Sequence, residues 1–314
     1  MQKAVTETGY PVSATVAYAD MENYENADQF LADCKKGKSS FVVIYEVRQD
    51  GGINRMKFTY DGIDMYVIST SGIWMKNDIP GIAYTSYTRI KEWEYTENGW
   101  FCYKLCVPEP PEVTEIKNGS QALRIKPRTE AQREMSKLCV QGIGYQGNNL
   151  LCSNWNLDHL DVLDYNGLYE YLYRMKYGKQ FPGEKYTEGI PKDEFESLMM
   201  EYLPISEEEL QKYAEFDKET NLYAWMPLGC SNYVPGFFGT SMPEVVAIKE
   251  NPDDTITLTV NAVCDMVLCD DSLITHELTV KFKEDGSFQY LGNQICKEDE
   301  NHIPQYQYRV NGAG

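Results

Sequence analysis

The chain has 314 residues, enough to bury a substantial core and to form two domains. Hydrophobic residues make up 42% and charged residues 25%, a globular balance that excludes global disorder. With 29 basic and 48 acidic side chains the net charge is -19, and a field of that sign repels nucleic acid and anionic lipid headgroups.

Residues 1–26 are polar, rich in small side chains and aperiodic, as a flexible tether would be. The stretch Met1-Gln2-Lys3-Ala4-Val5-Thr6-Glu7 lacks the apolar core of a signal peptide. Nowhere does the chain approach the roughly 20 consecutive apolar residues that span a bilayer. Asn26 can cap a short helix over Ala27–Cys34 that ends at Gly37. Strands follow. Phe41, Val43, Tyr45 and Val47 alternate with other residues; Asp50-Gly51-Gly52 turns the chain, and Asn54, Met56, Phe58 and Tyr60 alternate again. Asp61-Gly62, Ser71-Gly72 and Asn98-Gly99 then punctuate strands as far as Val107. Turn signals every ten or so residues predict an up-and-down antiparallel sheet.

Pro108-Glu109-Pro110-Pro111 is a stiff break, and Asn118-Gly119 can close a further hairpin between Val113 and Ile125. Thr129 caps a predicted helix to Cys139, and a loop containing Gly142, Gly144 and Gly147 follows. From Leu157 to Tyr177 the apolar period is helical. Pro191 opens another helix that Pro204 ends, and Ser206 with Glu209 forms a capping box for a third. Residues 223–239 read as an aromatic loop. The clearest signal is C-terminal: Ile256, Leu258, Val260, Ala262, Cys264, Met266 and Leu268 fall on every second position, and Ile274, His276, Leu278, Val280 and Phe282 repeat the pattern. Phe288 and Tyr290 return after the Glu284-Asp285-Gly286-Ser287 turn, so this is an antiparallel meander with one dry face that the helices must cover.

The expected class is therefore α+β: an N-terminal antiparallel β-meander with one helix, then an α+β domain whose C-terminal meander is covered by helices. The expected organisation is a tether (1–26), an antiparallel β domain (27–107), a Pro-rich linker or hairpin (108–127) and an α+β domain (128–310).

Nine cysteines is an odd number, so one thiol at least stays unpaired with a partner in the chain. Cys102 and Cys106 share one face of a strand about 13 Å apart at 3.3 Å per residue, too far for a bridge. Neither they nor Cys264 and Cys269 have Cys-x-x-Cys spacing, which leaves Cys139 and Cys152 as the neighbouring pair to inspect.

Several runs resemble a family of lipoproteins of unknown function from gut-dwelling clostridial bacteria. They are Tyr95-Thr96-Glu97-Asn98-Gly99-Trp100-Phe101-Cys102-Tyr103, Gly144-Tyr145-Gln146-Gly147-Asn148-Asn149-Leu150 and Leu163-Asp164-Tyr165-Asn166-Gly167-Leu168-Tyr169-Glu170. Ile190-Pro191-Lys192-Asp193-Glu194-Phe195-Glu196 and His276-Glu277-Leu278-Thr279-Val280 carry it further. The resemblance covers most of the chain after residue 27. It implies export and a lipid anchor on an N-terminal cysteine, which this sequence does not contain at its start, and it assigns no residue a role.

Among the 24 tyrosines, Tyr165, Tyr169, Tyr173 and Tyr177 recur every fourth residue and share a helix face. Such a stripe either packs on the sheet with its hydroxyls at the rim or forms a platform for sugar rings or peptides. A second aromatic set, Tyr223, Trp225, Tyr233, Phe237 and Phe238, is interleaved with Gly and Pro and so belongs to no regular element. Trp155, Tyr169, Tyr173, Tyr223, Trp225, Tyr233 and Phe237 are accordingly the candidate ligand-binding residues. Asp158, Asp161 and Asp164, with His159 among them, complement a helix N-terminus better than they match a calcium loop, so no metal or cofactor is expected. Cys264 and His276 share inward parity on consecutive strands, where a buried neutral histidine satisfied by a hydrogen bond is the ordinary outcome. No phosphate loop, Gly-x-Ser-x-Gly or His-Glu-x-x-His pattern occurs, and no catalytic residue is assigned.

The functional expectation is an extracytoplasmic binding or scaffold module, lipid-anchored to the outer face of the membrane. Its partner would be a glycan, peptide or protein at the cell surface, with no nucleic acid and with membrane contact through the anchor alone. The alternative is a hydrolase of cell-wall or dietary polymers using carboxylates in an interdomain cleft, with Asp164 and Glu170 as nominal acids.

Overall fold

The computed structural model describes residues 2–76, 79–106, 119–229, 236–266 and 270–310, without the side chain of Phe237. The Pro108–Pro111 break lies outside the described residues. The chain is α+β with mostly antiparallel sheets and divides into two compact units, Met1–Thr129 with Asp265–Asp271, and Glu130–Cys264 with Ser272–Gly314.

The first unit is a curled sheet of seven strands in sequence order: β1 (Val12–Ala14), β2 (Ser40–Val47), β3 (Ile53–Tyr60), β4 (Met65–Trp74), β5 (Pro80–Tyr95), β6 (Trp100–Leu105) and β7 (Ser120–Arg124). From β2 onward every pairing is antiparallel, as hairpin turns require. The turn into β6 needs Gly99, whose φ is +86° and where a Cβ would sit 2.6 Å from the Cβ of Lys126. A short helix, α1 (Gln2–Thr6), precedes β1, and α2 (Glu25–Lys35) lays Ala27, Phe30, Leu31 and Cys34 on a core that includes Ile44, Phe58, Met65, Phe101 and Ile125.

Residues 1–26, expected as a tether, are built into this unit. β1 runs parallel to β2 with Val12 opposite Tyr45, and Val12, Tyr18 and Met21 are buried. Three apolar side chains spaced six and three apart, in a stretch of small and polar residues, form no sustained helical or strand pattern, so pattern reading passes over them. Arg128 closes the unit: its buried guanidinium meets Asp20 at 3.0 Å.

In the second unit the meander is a four-stranded antiparallel sheet of β11 (Met242–Glu250), β12 (Ile256–Val263), β13 (Thr275–Phe282) and β14 (Phe288–Ile295). Leu258, Val260, Leu278 and Val280 are fully buried and Glu277 and Lys281 exposed, the parity the alternation predicts. Phe282 is half-buried at the sheet margin. β12 ends at Val263, so Cys264 and Met266 fall beyond the strand expected to run to Leu268, a residue outside the described set.

Helices cover the dry face. α3 (Glu130–Met135) continues into a π-helical turn, Ser136–Val140, against β11, where Ser136 Oγ accepts from Val245 N at 2.9 Å. α4 (Tyr165–Tyr177) begins later than Leu157 because Asn156 turns the chain onto Asp158 N, and Asp164 then caps the helix by accepting from Gly167 N at 2.8 Å. Gly178, at φ +62°, ends it in the left-handed conformation. Next come β8 (Ile190–Pro191), α5 (Lys192–Tyr202), α6 (Glu207–Tyr213), β9 (Phe216–Asp217) and β10 (Leu222–Tyr223), the three short strands forming a small sheet. α6 carries the Ser206–Glu209 capping box. α5 packs on β14 through Tyr202, whose ring lies 5.9 Å from that of Phe288.

Candidate functional site

The tyrosine face of α4 organises the second unit. Tyr169 stacks on Phe195 of α5 with centroids 5.1 Å apart, and Phe195 stacks on Tyr223 of β10 at 4.0 Å. On its other side Tyr169 meets the edge of Phe181 at 5.4 Å, and Phe181 meets Trp225 at 5.1 Å. A continuous aromatic column thus runs from the buried Tyr223 of the small sheet outward to Trp225. Each contact adds about 0.5–1.5 kcal/mol beyond area burial, so the column fixes α4, α5 and the loop after α4 as one body. Burial pushes the phenol of Tyr169 well above its ordinary range, with the nearby Glu194 carboxylate adding to it, so this ring stays neutral.

At the outer end of the column lies a groove of about 660 Å³, bordered by Glu170, Gln180, Phe181, Gly183, Trp225 and Leu228, among others. Three pieces of chain form it: α4, the Gln180–Thr187 loop and the Trp225–Leu228 segment. Trp225 is half-buried, and its six-membered ring lies so close to Gly183 that a Cβ there would come within 2.1 Å of it. Among the described residues its indole N–H is shielded without a hydrogen-bond partner. Gln180, Glu184 and Thr187 are exposed along the rim. Tyr186 stacks on Phe181 at 4.9 Å and donates its hydroxyl to Glu194 at 2.9 Å, which steadies the loop; burial, with that carboxylate, pushes its phenol up to about 12.

The seven residues nominated from sequence separate by position. Trp225 borders the groove, and Tyr173 is half-buried beside it, 5.2 Å from Phe181. Tyr169, Tyr223 and Trp155 are core residues. Tyr223 is fully buried and donates to Glu196 at 2.8 Å, and Trp155 donates its indole N–H to Leu150 O at 2.8 Å. Tyr233 and the side chain of Phe237 lie outside the described residues. Sequence reading passed over Phe181, the hub of the column, although it sits between Gly178 and Pro182-Gly183, the same Gly/Pro setting that marked the 223–239 loop. Gln180, Glu184 and Thr187 carry no such signal.

Asp164 and Glu170 both serve the C-terminal segment. Asp164 is buried; its Oδ2 accepts from Tyr306 OH and from Arg309 N, each at 2.7 Å, while Oδ1 holds the start of α4. Arg309, 1% exposed, reaches Glu170 at 2.6 Å. Two carboxylates taken on spacing as acids are thus clamps on residues 303–310. Arg309, the one charged residue of 303–310, offers no pattern from which this could be read.

His276 is fully buried, with Nδ1 2.6 Å from Asn293 Oδ1 and Nε2 2.8 Å from Tyr145 OH. Nδ1 donates and Nε2 accepts, so both nitrogens are engaged and neither is offered to a thiol. Desolvation lowers its pKa to about 4, against the opposing pull of the Asn293 hydrogen bond. Cys34, Cys106, Cys139, Cys152 and Cys296 carry free thiols, so no bridge joins Cys102 to Cys106 or Cys139 to Cys152. Burial pushes the thiols of Cys139 and Cys152 up to about 12, which keeps both protonated. Among the described residues no three His, Cys, Asp or Glu side chains converge as a metal site, and no helix is long and apolar enough to cross a membrane.

Fold and groove together describe an α+β protein of two antiparallel units, one of which presents an aromatic-backed groove with a polar rim. The chain belongs to DUF6070, a family of unknown function, whose match runs over residues 1–309. No curated protein and no solved structure matches it.

Proposed function

We propose that the protein is a non-enzymatic binding module that takes an uncharged glycan in the groove beside Trp225. The observation that carries this reading is the pairing of a half-buried indole, held by Phe181 and Gly183, with a rim of exposed Gln180, Glu184 and Thr187. A fixed aromatic ring offers a sugar face contact area at little rotamer entropy, and amide, carboxylate and hydroxyl groups supply hydrogen bonds to its hydroxyls. The net charge of -19 weighs against phosphate-bearing or uronic polymers. The cellular setting in this reading is extracytoplasmic, with a lipid anchor on the outer face of the membrane of a clostridial bacterium. That part rests on the lipoprotein resemblance. Peptide or protein ligands would appear as the alternative outcome of the same screen.

Titration calorimetry against neutral oligosaccharides, alongside peptides of similar size, tests the binding. Trp225→Ala should weaken glycan binding tenfold or more, whereas Trp74→Ala, at an exposed tryptophan of the other unit, should leave it unchanged. Equal affinity in both variants, or binding of peptides alone, refutes the glycan reading. Fatty-acid labelling of the protein in its native cells tests the anchor, and a wholly unlabelled protein counts against it.

A further inference from the structure

A second cavity in the same unit shares no lining residue with the groove. It measures about 350 Å³ and is bounded by Tyr145, Cys152, Phe238, Ile303, Pro304 and Tyr306, with glycines and two glutamines completing the wall. That is the lower end of the range of small-molecule sites, about 300–1,000 Å³. Its inner wall is fixed. Tyr145 is tied through its hydroxyl to His276, which is tied to Asn293, whose side-chain amide donates to Ser153 O at 2.9 Å. The Phe238 ring lies 5.4 Å from that of Tyr145.

The outer wall is different in kind. Residues 303–307 have no regular secondary structure, and Pro304, Gln305 and Gln307 are exposed. The segment is fastened beyond the cavity at Asp164, by Tyr306 OH and Arg309 N, and by Tyr308 OH on Val162 O. One face of the cavity is therefore a strap held at a few points, and the other is a hydrogen-bonded core.

The lining chemistry selects the ligand. None of the described residues bordering the cavity carries a charge, and the Cys152 thiol in its wall is protonated. A charged molecule entering would give up its hydration with no counter-charge to meet it, at a cost of several kcal/mol. An uncharged one would exchange water for aromatic and aliphatic contact, with the two glutamine amides available to a single polar group. We propose that this cavity binds one small, uncharged, largely apolar molecule and that residues 303–307 open to admit it and close over it. The site has its own lining, separate from that of the groove at Trp225.

A chemically matched pair of probes tests the proposal: N-phenyl-1-naphthylamine, which is neutral, and its 8-sulfonate, which has the same aromatic frame with a negative charge. Fluorescence titration of the full chain should show saturable one-to-one binding of the neutral probe, at least tenfold tighter than the sulfonate. Bound probe should slow chymotryptic cleavage after Tyr306 and Tyr308 at least threefold, since Tyr306 lies on the strap and Tyr308 directly follows it. Gly236 has extended backbone (φ −140°) with no atom of the described residues within 4 Å of a built Cβ, and Gln305 is exposed, so both positions are chosen to take a large side chain. Gly236→Trp or Gln305→Trp should weaken the neutral probe tenfold while the far-ultraviolet dichroism stays native. Absence of saturable binding, equal affinity for the sulfonate, unchanged cleavage, or wild-type affinity in both variants overturns it. Loss of glycan binding in Trp225→Ala with intact probe binding keeps the two sites distinct.

Discussion

Along α4 the tyrosines pass from interior to solvent: Tyr165 and Tyr169 are 1% and 2% exposed, Tyr173 is half-buried and Tyr177 is 50% exposed. Along β5, Tyr84 and Tyr87 are 54% and 68% exposed, and every residue from Ile82 to Tyr87 faces solvent on one side or the other. Both stretches are rich in tyrosine, and geometry separates them. A step of four residues on a helix turns the side chain about 40° past a full revolution, so three steps carry a stripe about 120° around the helix and off the core. A strand instead alternates strictly, so exposure on both faces means that nothing covers either. Among the described residues, β6 pairs with β5 only over Ile90–Tyr95, and the Pro80–Thr88 half is paired with β4 alone. Aromatic rings are therefore structural in the second unit up to Trp225, while Tyr84 and Tyr87 of β5 stand clear of the core that Tyr95, at the end of the same strand, joins.

The sharpest way to break the comparison is to charge the buried side of the meander. Leu258 is fully buried and pairs across the strands with Leu278. An unpaired aspartate there costs several kcal/mol against a total stability of about 5–15 kcal/mol, so Leu258→Asp should leave the second unit without native near-ultraviolet dichroism. Next comes the column itself. Tyr169→Ala removes a ring that touches Phe181 and Phe195 and should cost about 3–5 kcal/mol in urea unfolding. A loss below 1 kcal/mol would mean that the column is contact without consequence.

The meander was legible because its period of two is long and unbroken, and a one-residue slip would turn every apolar side chain outward. The capping box at Ser206 and the antiparallel run from β2 to β6 were legible for similar local reasons. What escaped were features made by distant residues. Parallel pairing of β1 with β2 leaves no mark in residues 12–14, and the strap from Tyr306 and Arg309 to Asp164 joins positions over 140 apart in the chain. In the candidate site, the Gly/Pro setting picked out Trp225 correctly as a loop aromatic, but it grouped with it Tyr223, which pairs in β10 and is buried. Composition marks a loop; only packing says which of its rings face outward.

The interior of the second unit also responds to pH. His276 holds its proton at about pH 4 when folded and at about 6.5 when exposed. Between those values the unfolded chain binds a proton that the native state does not, so stability is complete above pH 6.5 and falls as the pH drops toward 4. Tyr145 and Asn293, which face the ring, contribute no charge to offset this. The expected loss from pH 7 to pH 4 is about 3 kcal/mol, read as faster hydrogen exchange in peptides from β12 to β14. His276→Gln should flatten that dependence; an unchanged slope would assign the effect to other groups.

The smallest effect is expected on β5 of the first unit. Tyr87 stacks on Tyr66 with centroids 5.5 Å apart and planes 9° from parallel, so it is not without contact. Both rings lie on the solvent side of the β4–β5 pair, and a stack in water repays little of the area that a buried ring would. Tyr87→Ala should therefore lower the unfolding free energy in urea by less than about 1 kcal/mol, a third or less of the cost at Tyr169. The two substitutions remove the same side chain, so their ratio isolates burial from chemistry. A Tyr87 cost equal to that of Tyr169 would show that the outer face of β5 is covered in solution. The contrast between the two units would then be one of partner and not of packing.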